Sequence, residues 1–502
     1  MTLEAGLSPD LKERLTEVVG SDGLSDAPER LGEFEADLSG WGRGEPLCVV
    51  RPRSARQVQS VVDLANLMGI NLVPVSSGPP HHRGDTVPRG DAVIMDLSAM
   101  DEVVRVDRRN KVALVEPGVT FGRLQEEVRE VGLKVLMPLL PRSNKSVIGS
   151  YLEREPILIP KYHWDMTDPL LCTEVVFGSG DLFRTGSAAG PGNLRQQWAA
   201  GLAQKNPMGP AQTDFARILQ GSQGSMGVVT WATVKLEVLP RIHRFFFVPE
   251  RRLDKLVELT YRAMRPRLGD EFFILNGVSL AAAVGSSRQE AEGLADRNAS
   301  FILVYAVAGY EAAAEKRADF QQHDLRLHAQ ACGVEARPEV PGLNGARARE
   351  LFCGPCRGTY WKERLAGGWQ DLFFLTTLDR CCSFVRLVEE KAKERSFPPE
   401  RLGIYVQPIQ QGRSCHLEFT FFYDPGDGEE ASRVAALMDE AARACSEAGA
   451  FFSRPYGPWA ELAYARCPDS VAALRKVKKI LDPAGVMNRG RLCFGDTEEE
   501  RS

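Results

Sequence analysis

The sequence has no long apolar run and no run of basic residues. No stretch of eighteen apolar residues occurs in the 502-residue chain, so we expect no membrane-spanning helix. The net charge is −5, and Lys and Arg are dispersed, so there is no electrostatic footprint for nucleic acid. The first ten residues lack the basic and apolar regions of a signal peptide, so we expect a cytoplasmic protein.

Clusters of metal-ligating residues are also scarce. Of the 11 cysteines, only Cys353 and Cys356 have the spacing of a metal-ligand pair. No histidine lies near them in the sequence, and iron–sulfur sites present denser cysteine runs, so we predict no bound metal. The odd number of cysteines and their wide scatter indicate reduced thiols.

The glycine fingerprint of a Rossmann fold is missing after the first predicted strand, Cys48–Val50. Ser54 is predicted to cap a helix over 55–68, whose apolar face would contain Val58, Val61, Val62, Leu64 and Ala65. Short strands and helices alternate as far as Pro240, and longer helices and further strands follow. The length exceeds a single hydrophobic core, so we predict an α+β protein with more than one domain.

Two loops rich in small residues are the strongest local signal. Gly221, Gly224 and Gly227 recur at three-residue spacing before a β-branched run, and residues 74–85 form a second Pro/Ser/Gly-rich loop. Glycine has no Cβ, so such a turn lets the backbone pass flat against a ligand. We expect the two loops to form two walls of one cofactor site. An ordinary structural turn is the alternative for each.

Six segments, in chain order, carry a family resemblance: Val73–Gly78, Met95–Met100, Val115–Val119, Val147–Ser150, Gln220–Thr230 and Val477–Leu492. They resemble the flavoprotein family of vanillyl-alcohol oxidase and p-cresol methylhydroxylase (PCMH), whose wider relatives include D-lactate dehydrogenases and the glycolate oxidase flavin subunit. The resemblance implies a PCMH-type FAD-binding domain at 1–240 and an α+β substrate (cap) domain at 241–462. A C-terminal segment at 463–502 would complete the FAD domain.

The resemblance also implies bound FAD. We expect successive backbone N–H groups of the loop after residue 75 to cradle the pyrophosphate. FAD is expected to bind without a covalent bond, and a link through His81 or His82 is the alternative. The predicted cofactor-binding residues are Ser76, Ser77, Gly78, Pro79, Pro80, His81, His82, Arg83, Pro117, Gly118, Pro141, Ser143, Ile148, Gly149, Gly224, Gly227, Val228, Val229, Asn488 and Arg489.

The phenol-oxidising branch of the family suggests the catalytic residues. Glu153 matches an acidic residue that the branch places near the flavin, and His163 is a candidate base. Arg454 and Tyr456 stand where the branch carries a Tyr-Arg pair, and together they would suit a phenolate or a carboxylate. Arg413 is a second candidate for anion binding. For each residue, a packed or solvated structural role is the alternative.

The sequence departs from that branch at two places. Residues 154–162 replace its glycines with proline and bulky residues, and Asn488–Gly490 lacks its usual proline. The site is therefore expected to be reshaped relative to the type members. The G-D-G-N-x-H metal motif of the lactate and glycolate relatives is absent from the C-terminal domain, which argues against a 2-hydroxy-acid dehydrogenase of their type.

These observations predict an FAD-dependent oxidoreductase in which flavin N5 accepts a hydride from an alcohol or a para-substituted phenol. One alternative is a 2-hydroxy-acid dehydrogenase of the lactate or glycolate type. Another is a flavin subunit that relays electrons or scaffolds a complex without a substrate of its own. The expected partners are a small-molecule substrate, a separate electron-acceptor protein, and further subunits of a homo- or hetero-oligomer.

Overall fold

The fold is taken from a computed structural model, which describes residues 6–161, 169–209, 214–298 and 301–495. The helices are α1 (Pro9–Val19), α2 (Pro28–Glu35), α3 (Ala55–Met68), α4 (Phe121–Glu130), α5 (Val147–Leu152), α6 (Leu194–Ala199), α7 (Ala216–Leu219), α8 (Leu253–Met264), α9 (Gly277–Val284), α10 (Arg288–Ala295), α11 (Ala314–Ala331), α12 (Gly345–Phe352), α13 (Cys381–Glu394), α14 (Gly428–Glu447), α15 (Trp459–Tyr464) and α16 (Pro468–Leu481). Within the described ranges, none of these helices has both the length and the apolar character needed to cross a membrane.

The strands complete an α+β architecture, which confirms the predicted fold class. They are β1 (Leu24–Ser25), β2 (Glu45–Val50), β3 (Asn71–Val75), β4 (Asp91–Asp96), β5 (Val103–Asp107), β6 (Val112–Val115), β7 (Leu133–Val135), β8 (Leu170–Phe177), β9 (Leu182–Arg184), β10 (Gly227–Val238), β11 (Ile242–Glu250), β12 (Phe272–Asn276), β13 (Phe301–Gly309), β14 (Glu339–Val340), β15 (Leu343–Asn344), β16 (Gly368–Thr376), β17 (Leu402–Ile409) and β18 (Ser414–Tyr423).

Local sequence accounts for the bounds of α3. The Ser54 side chain accepts a hydrogen bond from Gln57 N at the start of the helix. Gly69 ends the helix with a positive φ of 67°, which glycine adopts without a Cβ clash. The predicted apolar face is buried at Val58, Val61, Val62 and Ala65, and Leu64 is half-buried. The predicted helix is therefore confirmed.

Two sheets come from the first half of the chain. One has the order β1-β2-β4-β3, in which β2, β4 and β3 are parallel. The other is antiparallel, with the order β5-β6-β10-β8-β9 and β7 paired with β10. The first loop predicted at the cofactor site follows the end of β3, and the second precedes the start of β10. Both loops therefore lie at strand ends, where the backbone leaves the sheets.

A third sheet, antiparallel, has the order β11-β13-β12-β17-β18-β16. Alternate residues of β12 enter different cores: Phe272 and Ile274 pack with α8, α13 and α14, whereas Phe273 and Leu275 pack with α9 and α12. Both faces of the sheet are therefore buried beneath helices. The strands β12, β17 and β18 thus hold the side chains that they carry in fixed positions.

The C-terminal segment returns to the first sheet. Leu72 N donates to Val486 O at 2.7 Å, and Asn488 N donates to Leu72 O at 2.8 Å. Val486 and Met487 are buried against the same core as Leu72. The chain passes from the second sheet to the third between β10 and β11. The domain limits at 240/241 and 462/463 stay predictions.

Candidate functional site

A cleft of about 1050 Å³ lies between the loop after β3 and the turn before β10, and we call it the main cleft. Twelve predicted cofactor-binding residues line it: Ser76, Ser77, His81, His82, Arg83, Pro117, Ile148, Gly149, Gly224, Gly227, Val228 and Val229. Its other lining residues are Pro74, Val75, Asp85, Thr86, Leu97, Arg142, Lys145, Leu152, Glu153, Leu219, Gly221, Ser222, Gln223 and Tyr456. Both small-residue loops therefore face the same cleft.

The other predicted residues lie elsewhere. Gly78, Pro79, Pro80, Gly118, Pro141, Ser143, Asn488 and Arg489 do not line the main cleft. Several of them support the residues that do: Gly78 O, for example, accepts a hydrogen bond from Arg142 Nη1 at 3.1 Å. Arg489 instead holds the tail, because its Nη2 donates to Gly69 O at 3.0 Å. His163 lies outside the described residues.

The two walls of the main cleft touch at Gly224. This glycine has a φ of +71°, and a Cβ at this position would lie 2.6 Å from Pro74 Cγ. Gly149 shows a similar contact, with its hypothetical Cβ 2.9 Å from Ser76 Oγ. Only glycine allows these backbone segments to approach so closely.

Asn488 joins the two walls from behind. Its Nδ2 donates to Asp85 O at 3.0 Å and to Gln223 O at 2.7 Å, so one amide group bonds to both loops. The side chain is buried, with 1% of its surface exposed. The sequence placed Asn488 at the cofactor, whereas the observed contacts are with the two loops themselves.

We expect Asn488→Ala to weaken FAD binding about 30-fold, because two buried carbonyls lose their donor at a cost of about 1–3 kcal/mol each. Titration of the apoprotein with FAD measures the change in Kd. Asn488→Asp is the stricter variant, since it keeps the volume but replaces the donor with an acceptor. An unchanged Kd in both variants would show that the walls hold together without this bridge.

A buried ionic cluster closes one side of the main cleft. Arg83 pairs with Glu153, and its Nη2 lies 2.8 Å from Glu155 Oε1. Lys145 Nζ lies 2.9 Å from Glu153 Oε2 and 3.1 Å from Glu155 Oε1. Burial alone would raise the pKa of Glu155, but Lys145 and Arg83 lower it well below its ordinary value. Glu153, the predicted catalytic acid, is therefore shared between two cations.

The loop after β3 offers hydrogen-bond donors to the cleft. Among the described residues, no acceptor takes the backbone N–H of Ser77, His82 or Arg83. His81 is buried, and its Nε2 likewise has no partner within the described ranges. Burial, followed by the charge of Arg142, lowers the pKa of His81 to about 4, so the ring is neutral near neutral pH. Such a series of free donors suits an anionic ligand.

A second pocket, of about 420 Å³, adjoins the main cleft and shares His82 and Arg83 with it. We call it the side pocket. Its remaining lining residues are Pro138, Leu139, Glu155, Pro156, Tyr360, Trp361, Lys362, Asp371, Tyr405, His416, Glu418 and Arg454. The wall is thus partly aromatic and partly charged.

The predicted pair Arg454 and Tyr456 is divided between the two cavities. Tyr456 lines the main cleft, where the Arg83 guanidinium lies 5.3 Å from its ring centre. Arg454 lines the side pocket, where its guanidinium lies 4.2 Å from the ring centre of Phe373. Arg454 is 3% exposed, and within the described part of the chain its Nη1 has no hydrogen-bond partner. The side pocket is therefore lined by a buried guanidinium, one terminal nitrogen of which lacks a partner among the described residues.

Sequence reasoning missed most of the charged residues around Arg454. Glu155 lies in segment 154–162, which differs from the family pattern, and nothing in the local sequence marks Lys362 or Asp371 as a site residue. His416 and Glu418 lie two residues apart on β18, and a His and a Glu on one face of a half-buried strand are a usable signal. Arg413 is exposed and lines neither the main cleft nor the side pocket.

The fold brings a histidine to Cys353, although none is near it in the sequence. Cys353 Sγ lies 3.7 Å from His243 Nδ1, and His243 Nε2 lies 2.7 Å from Glu271 Oε2. Lys134 Nζ already lies 2.9 Å from Glu271 Oε1, so the negative charge of the group is compensated. We read the group as an ion-pair network and not as a cation site.

Two family descriptions match this chain. The FAD binding domain matches residues 46–186, and the C-terminal domain of FAD linked oxidases matches residues 274–492. Most residues that line the main cleft belong to the first matched region, and the residues that line the side pocket come from both regions. The cofactor predicted from the sequence, FAD, is confirmed.

Known proteins resemble the chain at low identity. The glycolate oxidase subunit GlcD of Bacillus subtilis is 26% identical over 49% of this chain and 49% of its own length. The 4-cresol dehydrogenase flavoprotein subunit of Pseudomonas putida is 33% identical over 30% of this chain and 28% of its own length. The match thus spans half or less of these curated relatives. A solved 4-ethylphenol oxidase from Gulosibacter chungangensis, in complex with isoeugenol, superposes with a TM-score of 0.83 at 20% identity, covering 99% of this chain and 100% of that chain. This likeness shows that the two chains share the fold.

Proposed function

Because the chain belongs to the flavoproteins that join an FAD binding domain to an FAD-linked oxidase C-terminal domain, we propose that it oxidises a para-substituted phenol or a related alcohol. The observation that supports this most strongly is the buried Nη1 of Arg454 in the side pocket, which has no hydrogen-bond partner among the described residues. A buried guanidinium N–H group without an acceptor is costly, so a bound anion would supply the acceptor that Nη1 lacks.

The main cleft suits FAD. It is a concave site between two glycine-containing backbone segments, lined by both apolar and charged residues. The free N–H groups of Ser77, His82 and Arg83 are suited to the pyrophosphate, and the glycine contacts at Gly224 leave the backbone open to a flat ligand. Burial raises the pKa of Asp85 to about 6, which reduces the negative charge in the cleft at slightly acid pH.

When bound, FAD supplies an acceptor for a hydride at N5. The residues of the chain bind and orient the substrate. Arg454 would hold the phenolate oxygen, and Phe373 would support the guanidinium from below. Tyr360, Trp361 and Tyr405 would enclose the aromatic ring. Arg83 and Lys145 keep Glu153 and Glu155 paired, so the cluster between the two cavities is not left as uncompensated negative charge.

A phenol fits this pocket better than a 2-hydroxy acid. Arg454 Nη2 already lies 3.4 Å from His416 Nδ1, so Nη1 is the terminal nitrogen left without a partner among the described residues. A single phenolate oxygen needs one such donor, whereas carboxylates are best bound by two parallel donors. The aromatic wall also favours a ring-shaped substrate.

The test is anaerobic mixing of the FAD-loaded protein with 4-methylphenol, 4-methylphenol methyl ether, D-lactate and glycolate. We expect 4-methylphenol to bleach the flavin. The ether has no ionisable oxygen and should react about 100-fold more slowly, since it loses a charge-assisted hydrogen bond and leaves Arg454 unpaired. Bleaching by the hydroxy acids alone would favour the 2-hydroxy-acid alternative. No bleaching by any compound would favour an electron-relay subunit.

We also propose that FAD is held without a covalent bond and that electrons leave to a separate acceptor protein in the cytoplasm. The free His81 Nε2 keeps a histidyl link as the alternative, and acid precipitation separates the two, because non-covalent FAD stays in the supernatant. The 4-cresol dehydrogenase relative is described as a flavoprotein subunit. That description supports the proposal that this chain works with a separate acceptor protein in a hetero-oligomer.

A further inference from the structure

We infer that His416, Glu418 and Lys362 form a positioning network that fixes the Arg454 guanidinium for anion binding in the side pocket. The identity of the anion, a substrate phenolate, rests on the proposed function. The network itself rests on contacts between residues of this chain.

The hydrogen bonds define the tautomer of His416. Arg454 can only donate, so the contact between its Nη2 and His416 Nδ1, at 3.4 Å, requires an unprotonated Nδ1. The proton of the neutral ring is then on Nε2, which lies 3.1 Å from Glu418 Oε2 and donates to it. Burial lowers the pKa of His416 to about 4, in agreement with a neutral ring near neutral pH. His416 thus acts as an acceptor that orients Arg454.

Glu418 is in turn anchored by Lys362. Lys362 Nζ lies 2.6 Å from Glu418 Oε1 and 2.6 Å from Asp371 Oδ1. Thr420 Oγ1 donates to the same Asp371 oxygen at 2.8 Å. Burial would raise the pKa of Glu418, but Lys362 and His416 lower it, so the carboxylate stays charged and keeps its two donors.

The sheet holds these residues on one face. His416, Glu418 and Thr420 alternate along β18, and Phe373 on β16 pairs with Glu418 in the antiparallel register. Phe373 is also the ring beneath the Arg454 guanidinium. Arg454 is therefore held by a ring on one side and by an acceptor at Nη2, which leaves Nη1 for the ligand.

A second network in the same chain provides a matched control. His243, Glu271 and Lys134 repeat the composition, with His243 Nε2 2.7 Å from Glu271 and Lys134 Nζ 2.9 Å from it. It is buried to a similar degree but lines neither the main cleft nor the side pocket. Disruption of this network should therefore lower stability without touching the anion site.

The first experiment compares His416→Leu, His416→Gln and His243→Leu in the FAD-loaded protein. We expect His416→Leu to raise KM for 4-methylphenol about 20-fold with a smaller change in kcat, because the guanidinium loses its orientation. His416→Gln should restore KM to within about 3-fold, since an amide can accept from Arg454 and donate to Glu418. His243→Leu should lower Tm while KM stays unchanged. Equal KM values in all variants would overturn the inference.

The second experiment needs no substrate. In ¹⁵N–¹H spectra of imidazole-labelled protein, we expect His416 as the Nε2–H tautomer near neutral pH and a shift of its Nδ1 signal in Arg454→Met. An Nδ1–H tautomer or a protonated ring would overturn the inference. If no phenol bleaches the flavin, the proposed function fails, whereas this measurement still decides the network.

Discussion

Arg454→Met is expected to lower kcat/KM for 4-methylphenol about a thousandfold, or about 4 kcal/mol, while FAD stays bound. The variant removes the buried donor that would meet the phenolate, and methionine fills much of the same volume. Arg454 does not line the main cleft, so the absorbance spectrum of the bound flavin should be preserved.

The thermal stability of Arg454→Met should not fall along with its activity. Arg454 is buried, its Nη1 has no partner among the described residues, and burial followed by the charge of Arg83 lowers its pKa, which marks an unfavourable environment for its charge. In Arg454→Met the removal of this buried charge offsets the lost contact with His416 Nδ1, because replacing buried charged groups with well-packed apolar side chains is often neutral or stabilising. We therefore expect an equal or higher Tm in Arg454→Met, alongside the loss of activity.

Arg413→Met is the matched control, because the same substitution is made in the same sheet region at an exposed arginine that lines neither cavity. It should leave kcat/KM within about 2-fold of the unmodified protein. A lower Tm together with unchanged kcat/KM in Arg454→Met would mean that the arginine is structural and that the substrate binds elsewhere.

Gly224→Val is expected to yield folded protein with FAD affinity lowered about 100-fold. A Cβ at this position would lie 2.6 Å from Pro74 Cγ, and a β-branched residue is strained at a φ of +71°. Relief of the overlap would spread the two walls of the main cleft, at a cost of about 1–3 kcal/mol for overpacking in addition to the backbone strain. FAD titration and circular dichroism measure binding and folding separately.

Gly69→Val is the control that separates the effect of backbone strain from the effect of the contact between Gly224 and Pro74. Gly69 has nearly the same φ, +67°, but a Cβ there meets nothing within 4 Å. Both variants should therefore lose stability, and only Gly224→Val should lose FAD. If both variants bind FAD equally, the close approach of the walls is not needed for the cofactor.

The elements that could be predicted from the sequence are those whose determining residues lie close together along the chain. The α3 helix follows from the Ser54 cap, the spacing of its valines and Gly69, all within one short segment. The two small-residue loops were found for the same reason, since glycine spacing before β10 is local. The sequence predicts that the two loops face one cofactor site. The structure adds the point at which they touch, between Gly224 and Pro74.

The side pocket was not predictable in this way. Lys362, Asp371, Glu418 and Arg454 come from four segments, and each is an ordinary charged residue in its own sequence context. Likewise, Asn488 was placed at the cofactor because of its motif, whereas its amide joins Asp85 to Gln223. Such contacts depend on sheet register and on the returning tail, which periodicity does not encode.

The sequence by itself determined the α+β class and the two loops of the main cleft, because glycine, caps and apolar periodicity act over a few residues. The family, and FAD with it, came from the resemblance of motifs that occur in the same order along the chain. Only the tertiary structure decided that Arg454 is buried beside the main cleft, with an Nη1 that no described residue accepts from. The physical reason is that the burial of a side chain and the compensation of its charge depend on neighbours that come from distant parts of the sequence. In the described part of the chain, Arg454 Nη1 lacks a partner while two neighbouring carboxylates are held by other cations, Glu418 by Lys362 and Glu155 by Lys145.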